Sequence, residues 1–433
     1  MLLFYNLLRL LLAPFILLLL AAACLHPRYR ARVPARLGFG LTRRLGWLQG
    51  PVFWVHALSV GELSSCAPLL RGLRSRWPEA PIVLSVTTKS GEAVARTHVA
   101  ELCQAIVAAP YDLYPVVRHF IRTIRPAVFI QVETDFWPGW LQQLAQAGVP
   151  ALLVNGRITA RSFARYQRFS WFFAPMFRCF SALCMQTDAD ADNMASLGLA
   201  PARIHTLGNL KFDAAETRAL TAAPGQRQAW SRGLRRRYGF AEHGPLLLLG
   251  STHPGEEELL LLVCARLRAT IPDLQILLAP RQPGRAEAIS ALAAQSGLIF
   301  RRRSQPREAG QGPFLLLDTL GELAGCYPLA DVAFIGGSLV PLGGHNPVEA
   351  AAAGIPVCFG PHMADFAEIA AALEAVGGAL RLEIRSLEDA LRRLLTDERE
   401  RERRGGAALN WLLAQRGVVQ RHLQLIEPWL SGP

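Results

Sequence analysis

PVFWVHALSVGE, residues 51–62, is the stretch whose reading decides the fold. The apolar run from Val52 to Leu58 is short and rich in branched and aromatic residues, as a buried strand is. Ser-Val-Gly-Glu then opens a helical pattern. A strand that passes directly into a helix is the first half of a βαβ unit. Ser59 and Glu62 stand three residues apart, the spacing of a capping box. A carboxylate at the carboxyl end of a strand is also where a catalytic base meets a ligand. Taken alone, the twelve residues leave both readings open.

The same pattern recurs on the C-terminal side. PIVLSVTT (81–88), AIVAAP (105–110), AVFIQVE (127–133), ALLVNG (151–156), ALCMQT (182–187) and RIHTLG (203–208) each end in a Gly, Pro or polar break. An amphipathic helical stretch follows, so a parallel sheet with helices on both faces is expected. Residues 217–244 are Arg-rich and punctuated by Pro and Gly, with no strand pattern, and read as a linker. A second series then begins: PLLLLGST, LQILLAP, GLIFRR, FLLLDT, DVAFIGG and PVCFG. The expectation is an α/β chain with two such domains, 38–216 and 245–426, facing one another across a cleft at their strands' carboxyl edges. Residues 387–426 read as one or two amphipathic helices.

Residues 1–27 form a separate segment. Arg9 is the sole charge in MLLFYNLLRLLLAPFILLLLAAACL, and Arg28, Arg30, Arg32 and Arg36 follow it. An apolar run with its charge cluster on the C-terminal side predicts an uncleaved anchor with the rest of the chain in the cytoplasm. Pro14 and the marginal length also fit a helix lying in the membrane interface. The 433 residues carry 46 basic against 34 acidic side chains, a net charge of +12, which suits an anionic partner. Lys89 and Lys211 are the only lysines. The eight cysteines are scattered through apolar runs without a C-x-x-C pair, as expected of reduced thiols rather than a zinc site or a disulfide framework.

The strongest local feature is GGSLVPLGGHNPVEAAAAGIPVCFGP, 336–361. It leaves a strand, crosses a glycine-rich turn and opens a helix at Asn346-Pro347, with free N–H groups suited to a phosphate. Glu349, one turn in, is placed to accept from ribose hydroxyls. Other strand ends share this character: Gly250-Ser251-Thr252-His253 before Glu256-Glu257-Glu258, Pro280-Arg281, Asp318 to Leu323, Glu133-Thr134-Asp135 and Gly208 to Asp213. Arg281 suits a phosphate. Glu133 at the end of a buried strand requires a partner, such as an arginine, or a function. Asp188, Asp190 and Asp192 resemble a metal-binding string but lack the glycine and terminal glutamate of an EF-hand, and fit a helix start. There is no P-loop, no well-placed G-x-G-x-x-G and no G-x-S-x-G elbow. Aromatic residues are not interleaved with the basic ones, so a nucleic-acid partner is not expected.

HALSVGE, ETDFWPGWL, NGRITARSFARY, GNLKFD, STHPGEE, PRQPGR and GGHNPVEAAAAGIPVCFGP, in order across 56–361, resemble the 3-deoxy-D-manno-octulosonic acid (Kdo) transferases of lipopolysaccharide biosynthesis. The resemblance implies a GT-B glycosyltransferase: two Rossmann-like domains, the first binding the acceptor and the second the nucleotide sugar. It implies inverting transfer of Kdo from CMP-Kdo to the lipid A precursor, lipid IV-A, at the cytoplasmic face of the inner membrane, with no cofactor and no metal. Carried over by motif, Glu62 is the general base, while Glu133 and Lys211 stabilise the transition state. Pro280 and Arg281, then Gly321, Glu322 and Leu323, then Asn346, Pro347, Val348 and Glu349 contact CMP. The family's usual Pro-Arg-His reads Pro280-Arg281-Gln282 here, so position 282 carries no charge. A helix N-terminus is expected to keep Glu62 ionised. The other readings are a UDP-sugar transferase or epimerase of the same architecture, and a membrane-anchored nucleotide-binding protein without turnover.

Overall fold

The computed structural model describes residues 2–26, 30, 32–214, 224–305 and 312–430. The chain divides into two compact units. The first is Met1–Ala214 with Gly417–Pro433, and the second is Ala215–Arg416.

The first unit is built on seven parallel strands: β1 (Val52–Ala57), β2 (Ile82–Val86), β3 (Ala105–Ala108), β4 (Pro126–Val132), β5 (Ala151–Gly156), β6 (Ala182–Met185) and β7 (Ile204–Thr206). Their order is β3-β2-β1-β4-β5-β6-β7. Chain order reverses between β1 and β4, the switch point at which ligands bind in such sheets. The central strands are covered on both faces, which is why they read as continuous apolar runs. Trp54, Phe129 and Trp140 pack beneath the switch point, with Trp54 4.9 Å from Phe129 and 5.6 Å from Trp140 between ring centroids. Burial of each large apolar side chain contributes about 1.5–3 kcal/mol.

The second unit repeats the plan with β8 (Leu246–Thr252), β9 (Gln275–Pro280), β10 (Arg301–Arg302), β11 (Phe314–Leu316), β12 (Val332–Ile335), β13 (Val357–Phe359) and β14 (Ala379–Arg381). Their order is β10-β11-β9-β8-β12-β13-β14, so the switch point lies between β8 and β12, where Gly250 pairs with Ile335. β14 is an edge strand absent from the sequence expectation, and GLIFRR contributes only its last two residues to β10.

Two boundaries differ from the sequence reading. Within the expected linker 217–244, residues 217–223 lie outside the described residues, and Pro224–Arg237 is a helix of the second unit. Arg235 of that helix is buried and pairs with Asp331 at 2.8 Å, so part of the arginine content of this stretch is structural. The last helix, Val418–Ile426, belongs to the first unit rather than the second. Asp213 accepts from the N–H groups of Gly417 (3.0 Å) and Val419 (2.7 Å) at the start of that helix. Gly72 lies so close that a Cβ there would meet Val419 at 2.7 Å.

Helix α1 (Leu2–Leu25) has Leu11, Leu12, Phe15, Leu18, Leu19 and Leu25 exposed. Among the described residues no helix is long and apolar enough to cross a membrane. Tyr5 donates to Asp112 at 2.6 Å, which ties the first turns of α1 to the body of the first unit. Two of the arginines after α1 are also occupied. Arg32 bonds Glu92 and the carbonyls of Val86 and Thr87, and Arg36 bonds the Ala109 carbonyl.

Candidate active site

The residues singled out in the first half of the sequence gather at the carboxyl edge of the first sheet. Glu62 lies in the first turn of the helix Val60–Arg76 and is 5% exposed. The expected capping box is not formed: Ser59 makes no side-chain cap bond, and Glu62 Oε2 accepts from the N–H of Leu58. Its Oε1 accepts from Thr134 Oγ1 at 3.1 Å, across the switch point from the end of β4. Burial, with a smaller contribution from the nearby Glu133 charge, pushes the Glu62 carboxyl up to about 8 against the pull of these hydrogen bonds. This overturns the expectation that the helix terminus keeps it ionised. Desolvation outweighs one backbone N–H and one hydroxyl.

Glu133 follows β4 with φ 56°, and its partner is an amide rather than an arginine: Asn155 Nδ2 donates to Oε1 at 2.9 Å. Asn155, fully buried with φ 56°, also accepts from the N–H of Leu210 at 2.9 Å. Gln186 Nε2 donates to the Asn155 carbonyl at 2.9 Å and its Oε1 accepts from Asn209 at 2.8 Å. Asn209 Oδ1 in turn accepts from the N–H of Lys211 at 3.0 Å. One hydrogen-bonded chain thus runs from Glu133 to Lys211 along the ends of β4, β5, β6 and β7. Asp135, with φ 73°, accepts from Thr87 Oγ1 at 3.2 Å and lies 3.0 Å from His56 Nε2. Burial alone would raise its pKa, but the hydrogen bonds and the His56 charge hold it below the usual range.

Of five non-glycine residues with positive φ among those described, four (Glu133, Asp135, Asn155 and Ser251) lie within three residues of the carboxyl end of a strand at a switch point or beside it. Such backbone strain concentrates at functional sites. His56, Asn155 and Gln186 were missed in the sequence. Their only signal was a polar residue at the end of an apolar run.

In the second unit the CMP candidates end or directly follow β9, or lie in the segments that follow β11 and β12. Pro280 ends β9, and the N–H of Arg281 bonds the Thr252 carbonyl at 2.9 Å, with the Arg281 side chain exposed. Gly321 has φ 83°. Glu322 accepts from Thr319 (2.6 Å), Arg303 (3.0 Å) and Tyr238 (3.1 Å). Leu323 opens a short helix. The helix after the glycine-rich turn, Val348–Ala352, has only five residues, so its dipole is weaker than the sequence suggested. Asn346 Oδ1 accepts from the Val348 N–H at 3.1 Å, and Pro347 occupies the cap position. Burial raises the Glu349 carboxyl to about 7. Gln282 is exposed. His253 and His345 stack with centroids 5.0 Å apart and Nε2 atoms at 2.7 Å, so one ring donates to the other. Burial, the neighbouring ring and Arg281 lower His345 to about 4, which keeps the pair neutral at neutral pH. Of the acidic string, Asp190 is buried and structural, accepting from the Ile158 N–H and from Thr187, while Asp188 and Asp192 are exposed.

Residues 31–214 match the family described as 3-Deoxy-D-manno-octulosonic-acid transferase (kdotransferase). The chain is 33% identical to the 3-deoxy-D-manno-octulosonic acid transferase of Haemophilus influenzae, covering 99% of this chain and 98% of that one. It is 34% identical to the enzyme of the same name from Bordetella pertussis, with 92% of each chain covered. Among solved structures, the UDP-GlcNAc 2-epimerase of Neisseria meningitidis superposes with a TM-score of 0.60 at 11% identity, over 87% of this chain and 100% of that one. MurG of Acinetobacter baumannii gives 0.54 at 14% identity, over 88% and 100%. These two establish a shared fold alone. With one third of its residues identical over its whole length, the chain belongs to the 3-deoxy-D-manno-octulosonic acid transferases and is a glycosyltransferase.

Proposed function

We propose that the chain transfers Kdo, with inversion and without a metal ion, from CMP-Kdo to the lipid A precursor lipid IV-A. The observation that carries this reading is the full-length match to Kdo transferases, with the candidate residues at the carboxyl edges of both sheets. In this reading Glu62 takes the proton of the acceptor hydroxyl. A carboxylate whose pKa stands near 8 is a far stronger base than a solvated one, and is matched to work near neutral pH. The N–H of Leu58 and the Thr134 hydroxyl fix its two oxygens and leave lone pairs for the acceptor.

Glycosyl transfer builds positive charge on the sugar and negative charge on the leaving group. The Glu133 carboxylate favours the first and Lys211 the second, and the Asn155–Gln186–Asn209 chain sets their spacing. Pro280, Arg281, Gly321 to Leu323 and Asn346 to Glu349 hold CMP, with Arg281 on the phosphate. The Glu322 carboxylate, fixed by three donors, is a rigid acceptor for the nucleoside. Helix α1 lies in the cytoplasmic leaflet of the inner membrane beside its lipid acceptor. Its exposed leucines and the Tyr5–Asp112 tie favour the in-plane arrangement over a span.

Incubating the purified chain with CMP-Kdo and lipid IV-A, with and without EDTA, is the direct test. The lipid gains the mass of Kdo, CMP is released in equal amount, and EDTA changes neither. A lipid of unchanged mass under every lipid and detergent condition overturns the reading. Stronger competition by UDP than by CMP would favour a UDP-sugar enzyme instead.

A further inference from the structure

The glycine-rich turn after β12 is held by a group outside it. The N–H groups of Gly337 and Leu339 converge on one side chain: Glu256 Oε1 accepts from Gly337 at 2.6 Å and Oε2 from Leu339 at 3.2 Å. Oε1 also accepts from the His253 N–H at 3.0 Å. Glu256 has no exposed surface. Nearby N–H groups aimed at one point form a nest for an anion. Here the anion belongs to the protein, and it joins the loop after β8 to the loop after β12 across the switch point.

The rest of the turn is tied by other means. The Gly344 N–H donates to the Gly337 carbonyl at 2.9 Å, and His345 meets His253 at 2.7 Å. The glycines serve this closure. A Cβ on Gly336 would fall 2.4 Å from the Ser251 carbonyl oxygen, and Gly337 has φ 67° with the His345 ring 3.2 Å from its Cβ position.

We propose that Glu256 is a positioning residue for donor binding: its buried carboxylate fills the nest of residues 337–339 and holds the turn that delivers His345, Asn346 and Glu349. The identity of the donor rests on the Kdo-transfer reading, whereas the clamp itself does not. Because each N–H donates to Glu256, those of Gly337 and Leu339 are unavailable to a ligand phosphate, which other groups must meet. Burial raises the Glu256 pKa, and the hydrogen bonds from Gly337, Leu339 and His253 pull against that without cancelling it.

The test uses the full chain with Glu256→Gly and Glu256→Gln. Hydrogen exchange at the Gly337 and Leu339 amides, read without ligand, accelerates about 100-fold in the Gly variant. The KM for CMP-Kdo rises about tenfold while the KM for the acceptor changes little, and added formate, which restores a carboxylate to the nest, recovers part of the loss. The Gln variant, which keeps one acceptor oxygen, falls between and does not respond to formate. Unchanged amide exchange, an equal rise in both KM values, or no formate response in a folded Gly variant would each overturn the proposal. Should the Gly variant not fold, amide exchange and the KM split in the Gln variant decide. A wild-type chain that transfers no Kdo removes the donor assignment alone, and exchange still tests the clamp.

Discussion

At the residue scale, Glu62 is pulled in two directions. Burial raises its carboxyl to about 8, while the Leu58 N–H and Thr134 hydroxyl favour the charged form. Its folded pKa stands above the unfolded value of 4.5, so the native state binds the extra proton between those values. That contribution to stability is fully present below the unfolded pKa and is lost as pH rises through about 8. Glu62→Gln removes this linkage. Calorimetric melting should find the Gln variant more stable than wild type at alkaline pH and equal to it below the unfolded pKa. Transfer by the Gln variant should fall by about 10³ with CMP binding kept. Wild-type activity should climb with pH to a plateau just above the Glu62 pKa; a profile flat through that range removes Glu62 as the base. Asn155 is the second decisive residue, because it donates to Glu133 and accepts from Leu210 at once. Asn155→Asp keeps the shape and tolerates the positive φ, but sets a second carboxylate against Glu133. Urea unfolding should show a loss of about 1–3 kcal/mol, and kcat should fall more than KM. Equal stability would mean that the Glu133–Asn155 bond carries nothing.

At the element scale, α1 touches the first unit through Tyr5, which bonds Asp112, and leaves an apolar surface exposed beyond it. Leu11, Leu12, Phe15, Leu18, Leu19 and Leu25 are exposed, and an apolar helix surface of this kind gains free energy by entering a lipid interface. Deleting residues 2–25 should abolish flotation of the protein with anionic vesicles while leaving the melting of the remaining chain nearly unchanged. Continued flotation at full strength would place membrane contact elsewhere. Arg32 and Arg36 already serve Glu92 and the backbone of the first unit, so the arginine cluster behind α1 is in part a structural fastening.

At the scale of the whole molecule, the chain closes its first unit with its last helix. Val418, Leu423 and Ile426 are buried there, and Asp213 caps the helix two residues after Lys211. Truncation after Arg416 should lower the melting temperature of the first unit and abolish transfer while the second unit still binds CMP. Loss of CMP binding instead would show that the nucleotide site needs the first unit. The parallel strands were legible in the sequence because strands buried on both faces must be continuous apolar runs, and a βα turn ends each one visibly. Candidates such as Glu133 and Pro280 stand at strand ends and were visible as the break that closes an apolar run. β14 was not: it is three residues at a sheet edge and buries too little to leave a pattern. An amphipathic helix shows that it has an apolar face, not which surface will cover it, so only packing assigned Val418–Ile426 to the first unit. The sequence by itself determined the two parallel sheets, which follow from local periodicity and chain order, and pointed to the candidate residues through the motifs it shares with the Kdo transferases. Tertiary structure alone decided that burial lifts the Glu62 pKa above that of a solvated carboxylate and that Glu256 fills the glycine-rich nest. Both depend on how much water and how many donors distant segments leave around a carboxylate.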